Sequence, residues 1–414
     1  MKHTHSMPFG AELLEGGGVR FRLWAPDVQE VTLEWQRGER WQPFPMQRDD
    51  EGWHEHVIAE ATAGDRYRYR MPDGLRVPDP ASRFNPDDVH GPSEVIDPRA
   101  YEWTDAAWVT TEKILAPMVI GKEVANASEV FDLMKRARGH RMSKAAIETA
   151  CWDLEAKKLG VPLWRHIGGT KNEIECGVSI GIQDSVEQLF DKIQTELDAG
   201  YQRIKIKIAP HWDYDVIKRV REKFGDIHLM GDANSAYTLA DIDLFKRMDE
   251  FGLMMLEQPL GYDDIVDHSK LQTQIKTPIC LDEPIKSPDD ARKAIELKSG
   301  KIINLKNGRV GGHTQSKLIE QLCRENGIPV WCGGMLESGI GRAHNIAIST
   351  LAGYTMPGDV SASKRYWHED IIEPEVEVTP QGTIIAPETP GIGFQIGQDR
   401  IDKVAVRRTV AGSN

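Results

Sequence analysis

The chain has 414 residues, 40% hydrophobic and 28% charged, with a formal net charge of −13. That length exceeds one ordinary domain unless a barrel of about 250 residues takes up most of it. The acidic balance argues against nucleic acid or an anionic membrane as a partner, but a metal and lysines can still supply local positive charge for an anionic substrate. Before about residue 110 β signals dominate. VRFRLWAP, VTLEWQ, GWHEHVIA and YRYRM alternate polar with apolar or aromatic residues between Gly- and Pro-rich turns. This predicts an antiparallel β-sandwich over 1–110, closing on PDPASRFNPDDVHGPSEVIDP and YEWTDAAW. SEVFDLMKRAR and SKAAIETACWDLEAKKLG then read as helices, the second from Ser143 to a stop at Gly160.

Strand and helix alternate from there on. The predicted strands are ECGVSIGI, RIKIKI, HLMGDA, LMMLEQP, PICLDEP, KIINLK and PVWCGG. The helices are expected to begin near Ser185, Trp212, Thr238, Asp263, Ser287, Gly312 and Glu337. Seven βα units favour a barrel over an open sheet, and the first strand is not followed by the GxGxxG loop of a doubly wound fold. The expected organisation is a sandwich over 1–110, a helical segment over 111–170, a barrel over 171–365 and a return segment over 366–414, where short β signals reappear (EVEVTPQGTIIAP). Five scattered cysteines (Cys151, Cys176, Cys280, Cys323, Cys332) without a CxxC pair read as free thiols of a reducing compartment. No apolar run approaches the roughly 20 residues of a spanning helix. The opening MKHTHSMPFG lacks a signal peptide's apolar core, so a cytoplasmic location is expected.

Five charged residues end successive apolar runs: Lys207, Asp232, Glu257, Asp282 and Lys306, three steps of 25 residues and one of 24. In a parallel barrel that repeat carries each residue to the same rim. Asp232, Glu257 and Asp282 are hard oxygen ligands suited to Mg²⁺ or Mn²⁺. Without a cation, three neighbouring carboxylates would raise one another's pKa. A lysine beside a divalent cation has its ammonium form disfavoured, so Lys207 and Lys306 are candidate bases. Lys205 faces the same side as Lys207 by strand period and adds a like charge. Two bases facing a metal-bound carboxylate suit proton abstraction beside that carboxylate, with the metal offsetting the charge of an enediolate. Asn234 is placed to support the metal shell, and Glu283 to hold Lys306 or a metal-bound water. The Gly-rich end CGGMLESG, with Gly333, Gly334 and Met335, is a candidate backbone cradle for a far anionic group. His313, His344 and His368 are given no role.

From about Thr111 to Arg400 the chain closely resembles the enolase superfamily, within it the o-succinylbenzoate synthase / N-acylamino acid racemase group. The resemblance rests on RIKIKI, MGDANSAYTL, GLMMLEQPL, TPICLDEPI, INLKNGRVGG and PVWCGGMLESGIGRAHN. It implies a (β/α)7β barrel, one Mg²⁺ on Asp232, Glu257 and Asp282, and Lys207 as the proton-abstracting residue. Lys306 would be the opposite-face base in racemisation, or a cation over the intermediate in the dehydration that makes o-succinylbenzoate for menaquinone. A Lys or His base working with Mg²⁺ on an enediolate is the general mechanism of such sites. Pro284 and Asn307 stand where a Ser and a small or apolar residue are usual.

Residues 7–108 instead resemble the N-terminal immunoglobulin-like domain of maltooligosyl trehalose trehalohydrolases, on GAELLEGGGVRFRLWAP, DPASRFNPDDVHGPSEVIDP and WTDAAW. The chain thus reads as a fusion near residues 108–112, a sandwich replacing most of the enolase-type cap and leaving its helical end, Glu112 to Gly160. A bare metal site is wetter, so weakened turnover is expected. The expected partners are a small carboxylate substrate, α-glucan at the sandwich and further copies of the chain. Trp24, Trp35 and Trp53 are candidate sugar-stacking residues, with core packing the stronger expectation for most of them. The competing readings are a carbohydrate-binding module on an idle barrel and a trehalohydrolase-related fragment, although no hydrolase barrel follows.

Overall fold

A computed structural model describes residues 9–14, 16–38, 40–82, 84–87, 91–97, 110–405 and 408. The WTDAAW segment and the fusion point near residue 108 lie outside the described residues. The chain divides into two compact units, Met1–Thr104 and Asp105–Asn414.

The first unit is a sandwich of two antiparallel sheets. One runs in the order Gly10–Leu13, Val19–Trp24, Trp53–Ile58, Gln47–Arg48. The other runs Arg40–Pro45, Thr32–Arg37, Arg66–Arg70, Arg76–Val77, with Ser93–Glu94 also paired to Arg66–Arg70. Alternation sorts the faces: Val19, Phe21, Leu23, Tyr67 and Tyr69 are buried, and the arginines between them point away from the core. Asp79 accepts hydrogen bonds from the buried tyrosine hydroxyls, at 2.7 Å from Tyr67 and 3.3 Å from Tyr69. Trp35 packs in the core at 2% exposure, whereas Trp24 is 59% exposed and Trp53 half-buried.

In the second unit, helix α1 (Arg141–Leu159) ends where Gly160 takes φ 70°, a left-handed cap that favours glycine. It begins two residues before the expected Ser143, which lies buried inside its first turn. SEVFDLMKRAR is helical only over Ala127–Glu129 and Val130–Leu133, then breaks into turns. Seven parallel strands follow in sequential order: β1 (Gly177–Ile180), β2 (Arg203–Lys207), β3 (Leu229–Asp232), β4 (Leu256–Glu257), β5 (Ile279–Leu281), β6 (Ile302–Leu305) and β7 (Val330–Cys332). The connecting helices are α2 (Val186–Asp198), α3 (Tyr214–Phe224), α4 (Ile242–Met248), α5 (Val266–Gln272), α6 (Pro288–Leu297), α7 (His313–Glu325) and α8 (Gly339–Ser349). Ser185, Thr238 and Ser287 cap helix starts as expected; α5 starts three residues after Asp263, because the Asp264 side chain first holds a turn.

The eighth position is not a continuous strand. Parallel bridges join Tyr354 to Val330 and Gly358 to Cys176, and Asp359 N–H donates to Cys332 O at 2.8 Å. Residues 354–359 thereby close the ring between β7 and β1, giving a (β/α)7β barrel. ECGVSIGI splits at Cys176: Glu173–Glu175 pairs antiparallel with Thr383–Ile385 of the return segment, and only Gly177–Ile180 enters the barrel. Glu148 ties α1 to the barrel, accepting from His313 N, Thr314 N and Trp152 Nε1, each at 2.8 Å. Burial pushes the Glu148 carboxyl up, against these bonds. All five cysteines are free, Cys151 half-buried and the rest buried. No helix among the described residues is long and apolar enough to cross a membrane.

Candidate active site

Strand register builds the site. Lys207 pairs with Asp232, and Asp232 with Glu257, at the C-terminal ends of β2, β3 and β4. Glu257 then pairs with Cys280, so Asp282 stands one same-facing position higher, just past β5. The ladder therefore climbs with the barrel's shear instead of lying level.

Lys207 Nζ donates to Asp232 Oδ2 at 2.6 Å and also to Asn234 Oδ1. Lys205, its side chain 5% exposed, is ringed by three carboxylates: Asp359 at 2.8 Å, Glu257 at 3.0 Å and Asp232 at 3.3 Å. Burial pulls the Lys205 ammonium down, but Asp359, Glu257 and Asp232 more than offset it and raise its pKa above the ordinary lysine value. Lys205 is thus a fixed cation beneath the site. Burial pushes Glu257 up and Asp232 beside it adds to the rise. Burial also pushes Asp232 up, but Lys205 and Lys207 hold it below the usual carboxylate range.

On the other side, Lys306 Nζ donates to Asp282 Oδ2 at 2.8 Å, and Arg309 donates to Asp282 Oδ1. Arg309 also donates to Asn304 O at 2.5 Å and Ile285 O at 2.9 Å, and burial lowers its pKa to about 10. β2 and β6 are four positions apart in a ring of eight, so Lys207 and Lys306 stand on opposite sides of the mouth. Asn234 Nδ2 donates to Glu283 Oε1 at 3.3 Å, and the Lys306 ammonium acts on Glu283 through its nearby charge. Burial pushes Glu283 up, and its Oε2 is buried without a hydrogen-bond partner.

A cavity of about 200 Å³ opens here, lined by Lys205, Lys207, Asp232, Lys306, Gly334 and Met335. Its remaining wall includes Ser179, Leu336, Asp359, Ser361, Arg365 and Tyr366. Glu257, Asp282, Asn234, Glu283 and Gly333 are not part of the lining. Gly333 is a packing residue: an added Cβ would overlap Asn304 Oδ1. The backbone cradle expected at CGGMLESG is also partly occupied. Gly333 N–H donates to Leu305 O at 3.3 Å, and Met335 N–H to the Glu337 carboxylate at 2.9 and 3.0 Å.

Asn304, Arg309, Asp359 and Arg365 are site residues that the sequence alone did not single out. Asn304 had a signal: it precedes Lys306 by two, as Lys205 precedes Lys207, and its Nδ2 reaches Glu257 Oε1 at 2.6 Å. His313 and His344 bond each other at 2.9 Å in the buried layer outside the site, and His368 is exposed.

Among the described residues no three His, Cys, Asp or Glu side chains are gathered as a metal-ligand group. Each ladder carboxylate faces a lysine or arginine instead. The donor chemistry nevertheless fits a hard divalent cation: three carboxylates from adjacent strands, each at most 1% exposed, beside the unpartnered Glu283 Oε2.

A family described as enolase C-terminal domain-like matches residues 188–400. The N-terminal domain of the mandelate racemase / muconate lactonizing enzyme family matches residues 90–168. The chain belongs to the enolase superfamily. Residues 8–80 match carbohydrate-binding module 48, the isoamylase N-terminal domain, so this member carries a second, unrelated domain in front. It is 55% identical to an o-succinylbenzoate synthase of Geobacillus kaustophilus over 72% of this chain and 79% of that protein. It is 47% identical to an N-succinylamino acid racemase of Thermus thermophilus, over 71% and 80%. A solved enolase-superfamily structure from Listeria innocua superposes with a TM-score of 0.70 at 35% identity, covering 91% of this chain and 96% of that one.

Proposed function

We propose that this superfamily member is a Mg²⁺-dependent enzyme that removes a proton α to a carboxylate, acting as o-succinylbenzoate synthase, N-acylamino acid racemase or both. The observation that carries this reading is the pair Lys207 and Lys306 lining opposite sides of one cavity, with Asp232, Glu257 and Asp282 spaced between them. The names of relatives at 47 and 55% identity support the same chemistry. Asp232, Glu257 and Asp282 would hold the cation, which when bound offsets the negative charge building on the substrate carboxylate. Lys207 takes the α-proton. Lys306 returns one to the opposite face in racemisation, or stays as an ammonium beside the developing charge in dehydration, where the C–O bond breaks and the proton taken by Lys207 goes to the departing hydroxide, so that water leaves. Lys205 keeps its proton and fixes Glu257 and Asp232 in place. Asn234 orients Lys207 and Glu283.

The dehydration would serve menaquinone synthesis in the cytoplasm. We place the functional boundaries at 1–110, 111–170, 171–365 and 366–414, with α-glucan contact assigned to the first segment on the strength of its family match. The test is α-proton exchange of an N-succinyl amino acid in D₂O, with Mg²⁺ and then with EDTA. Exchange that needs the metal supports the reading. A folded chain that exchanges no proton, yet is retained on α-glucan, would make it a glucan-binding protein with an idle barrel.

A further inference from the structure

The sandwich carries a charged cluster that the barrel chemistry does not use. Strand alternation turns Glu34, Arg68, Arg70 and Arg76 to the outer face of the sheet built on Thr32–Arg37 and Arg66–Arg70. Glu34 stands opposite Arg68 in register, and Arg70 opposite Arg76. The Glu34 carboxylate, its side chain 8% exposed, meets all three guanidinium groups: Arg68 at 2.7 Å, Arg76 at 3.0 Å and Arg70 at 3.1 Å. Each meets it through Nε, which leaves the Nη nitrogens for a further acceptor; Arg70 Nη2 also donates to Thr32 Oγ1 at 3.5 Å. Burial pushes Glu34 up, but Arg76 and Arg68 outweigh it and hold it below the usual carboxylate range, so it stays ionised. Three positive charges thus share one negative charge, and two positive charges are left over. The arginines reach water, with side-chain exposures of 25% at Arg68, 38% at Arg70 and 51% at Arg76. The Arg68 guanidinium lies 4.1 Å from the centre of the Trp41 ring. Arg66, the next outward residue along the strand, is balanced by Asp87 at 3.0 Å, and Glu94 stands across from it, so the surplus is confined to the other three.

We propose that Arg68, Arg70 and Arg76 form a phosphate subsite on the sandwich, through which this chain takes phosphate-bearing α-glucan in preference to the neutral polymer. The inference rests on the glucan assignment above for the identity of the polymer and adds the anionic group. A phosphate monoester carries about two negative charges near pH 7 and three strong acceptor oxygens, so it matches the surplus of the cluster. Guanidinium groups suit phosphate because their planar forks can donate two parallel hydrogen bonds. Glu34 and Trp41 hold the arginines together before a ligand arrives, which lowers the ordering cost of binding. A nucleic acid would call for a continuous basic track along its backbone, and the surplus here ends at Arg66. A neutral glucan leaves the surplus unmatched, and selectivity comes from this difference.

The test measures binding of the full-length chain to phosphorylated amylopectin and to the same polymer after phosphatase treatment, with inorganic polyphosphate as a soluble competitor. The phosphorylated polymer should bind about 5- to 20-fold more tightly, and added salt should narrow the gap. The double variant Arg70→Gln/Arg76→Gln should bring the two polymers within about twofold of each other, with binding of the treated polymer unchanged. Arg68 is left in place so that Glu34 keeps its 2.7 Å partner, and urea unfolding followed by tryptophan fluorescence checks that the sandwich stays folded. Arg70→Lys/Arg76→Lys keeps the charge without the forks and should recover only part of the preference. Equal binding of both polymers by the unaltered chain would overturn the subsite and leave the neutral glucan contact standing. Binding of the phosphorylated polymer alone would keep the subsite and refute the neutral contact, and binding of neither would overturn both. A preference that survives in a folded glutamine double variant would also overturn the proposal. So would polyphosphate that competes as well as the phosphorylated glucan at equal phosphate concentration, since the cluster would then be a general anion patch.

Discussion

Replacing Asp359 by Asn removes the one carboxylate among the described residues that touches both Arg203 and Lys205. Arg203 Nη2 lies 2.6 Å from Asp359 Oδ1 and Lys205 Nζ 2.8 Å from Oδ2. The two cations have side-chain exposures of 0 and 5%. Lys205 keeps Glu257 and Asp232, whereas Arg203 keeps only Pro357 O, a sulfur contact with Met230 and the Trp331 ring at 4.7 Å. Removing one partner of a buried pair costs about 3–5 kcal/mol. Asn retains hydrogen bonding and Lys205 retains two acids, so about 2–3 kcal/mol is expected, or about 3–5 °C in the barrel's thermal midpoint. Circular dichroism at 222 nm isolates that transition, because every helix among the described residues lies in the second unit. The difference should depend on pH. Burial raises the Asp359 pKa, but Arg203 and Lys205 outweigh it and depress the net value. A depressed folded-state pKa contributes stability that is fully present above the unfolded value of about 3.9 and is lost only as pH falls below it. The gap between wild type and Asp359→Asn should therefore be constant from pH 7 to about 5 and narrow below about 4. A loss under about 0.5 kcal/mol at pH 7, or a gap already closing near pH 6, would refute the assignment of Asp359 as the anchor of these cations.

Asp282→Asn should weaken Mg²⁺ affinity at least tenfold by calorimetry and leave the barrel folded; unchanged affinity would remove Asp282 from the ligand set. Gly333→Ala should break the Asn304–Glu257 bond, since its Cβ would overlap Asn304 Oδ1, and cost about 1–3 kcal/mol with loss of exchange. Trp35→Ala should cost the sandwich about 3–5 kcal/mol, while Trp24→Ala, at a site 59% exposed, should stay within about 0.5 kcal/mol in urea unfolding.

The ladder was legible because each member ends an apolar run at nearly constant spacing, which only a repeating βα unit produces. Lys205 followed from the two-residue period, and Asn304 obeys the same rule two residues before Lys306. Asp359 was not legible: GYTMPGDV carries Gly and Pro where a strand would show an apolar run, and it closes the barrel through isolated bridges. Arg309 lies on the single turn Asn307–Val310 and Arg365 on another short turn, so neither has a periodic signature. Asn307, unusual in sequence, is explained by Ser316 Oγ, which donates to its side chain at 2.8 Å. At the Gly-rich end the Glu337 carboxylate, only two residues on, takes the Met335 N–H, while Gly334 and Met335 line the cavity. Pro284 has no evident structural reason.

The central claim is that Lys207 and Lys306 work from opposite faces of one substrate. Enantiomer-resolved exchange of N-succinyl-phenylalanine in D₂O tests it most directly, in the wild-type chain and in Lys207→Ala and Lys306→Ala. Each variant should lose exchange with one enantiomer by at least about 10³-fold, the two variants should lose opposite enantiomers, and both should still bind Mg²⁺. Exchange of both enantiomers surviving in either variant, or both variants losing the same one, would contradict the account.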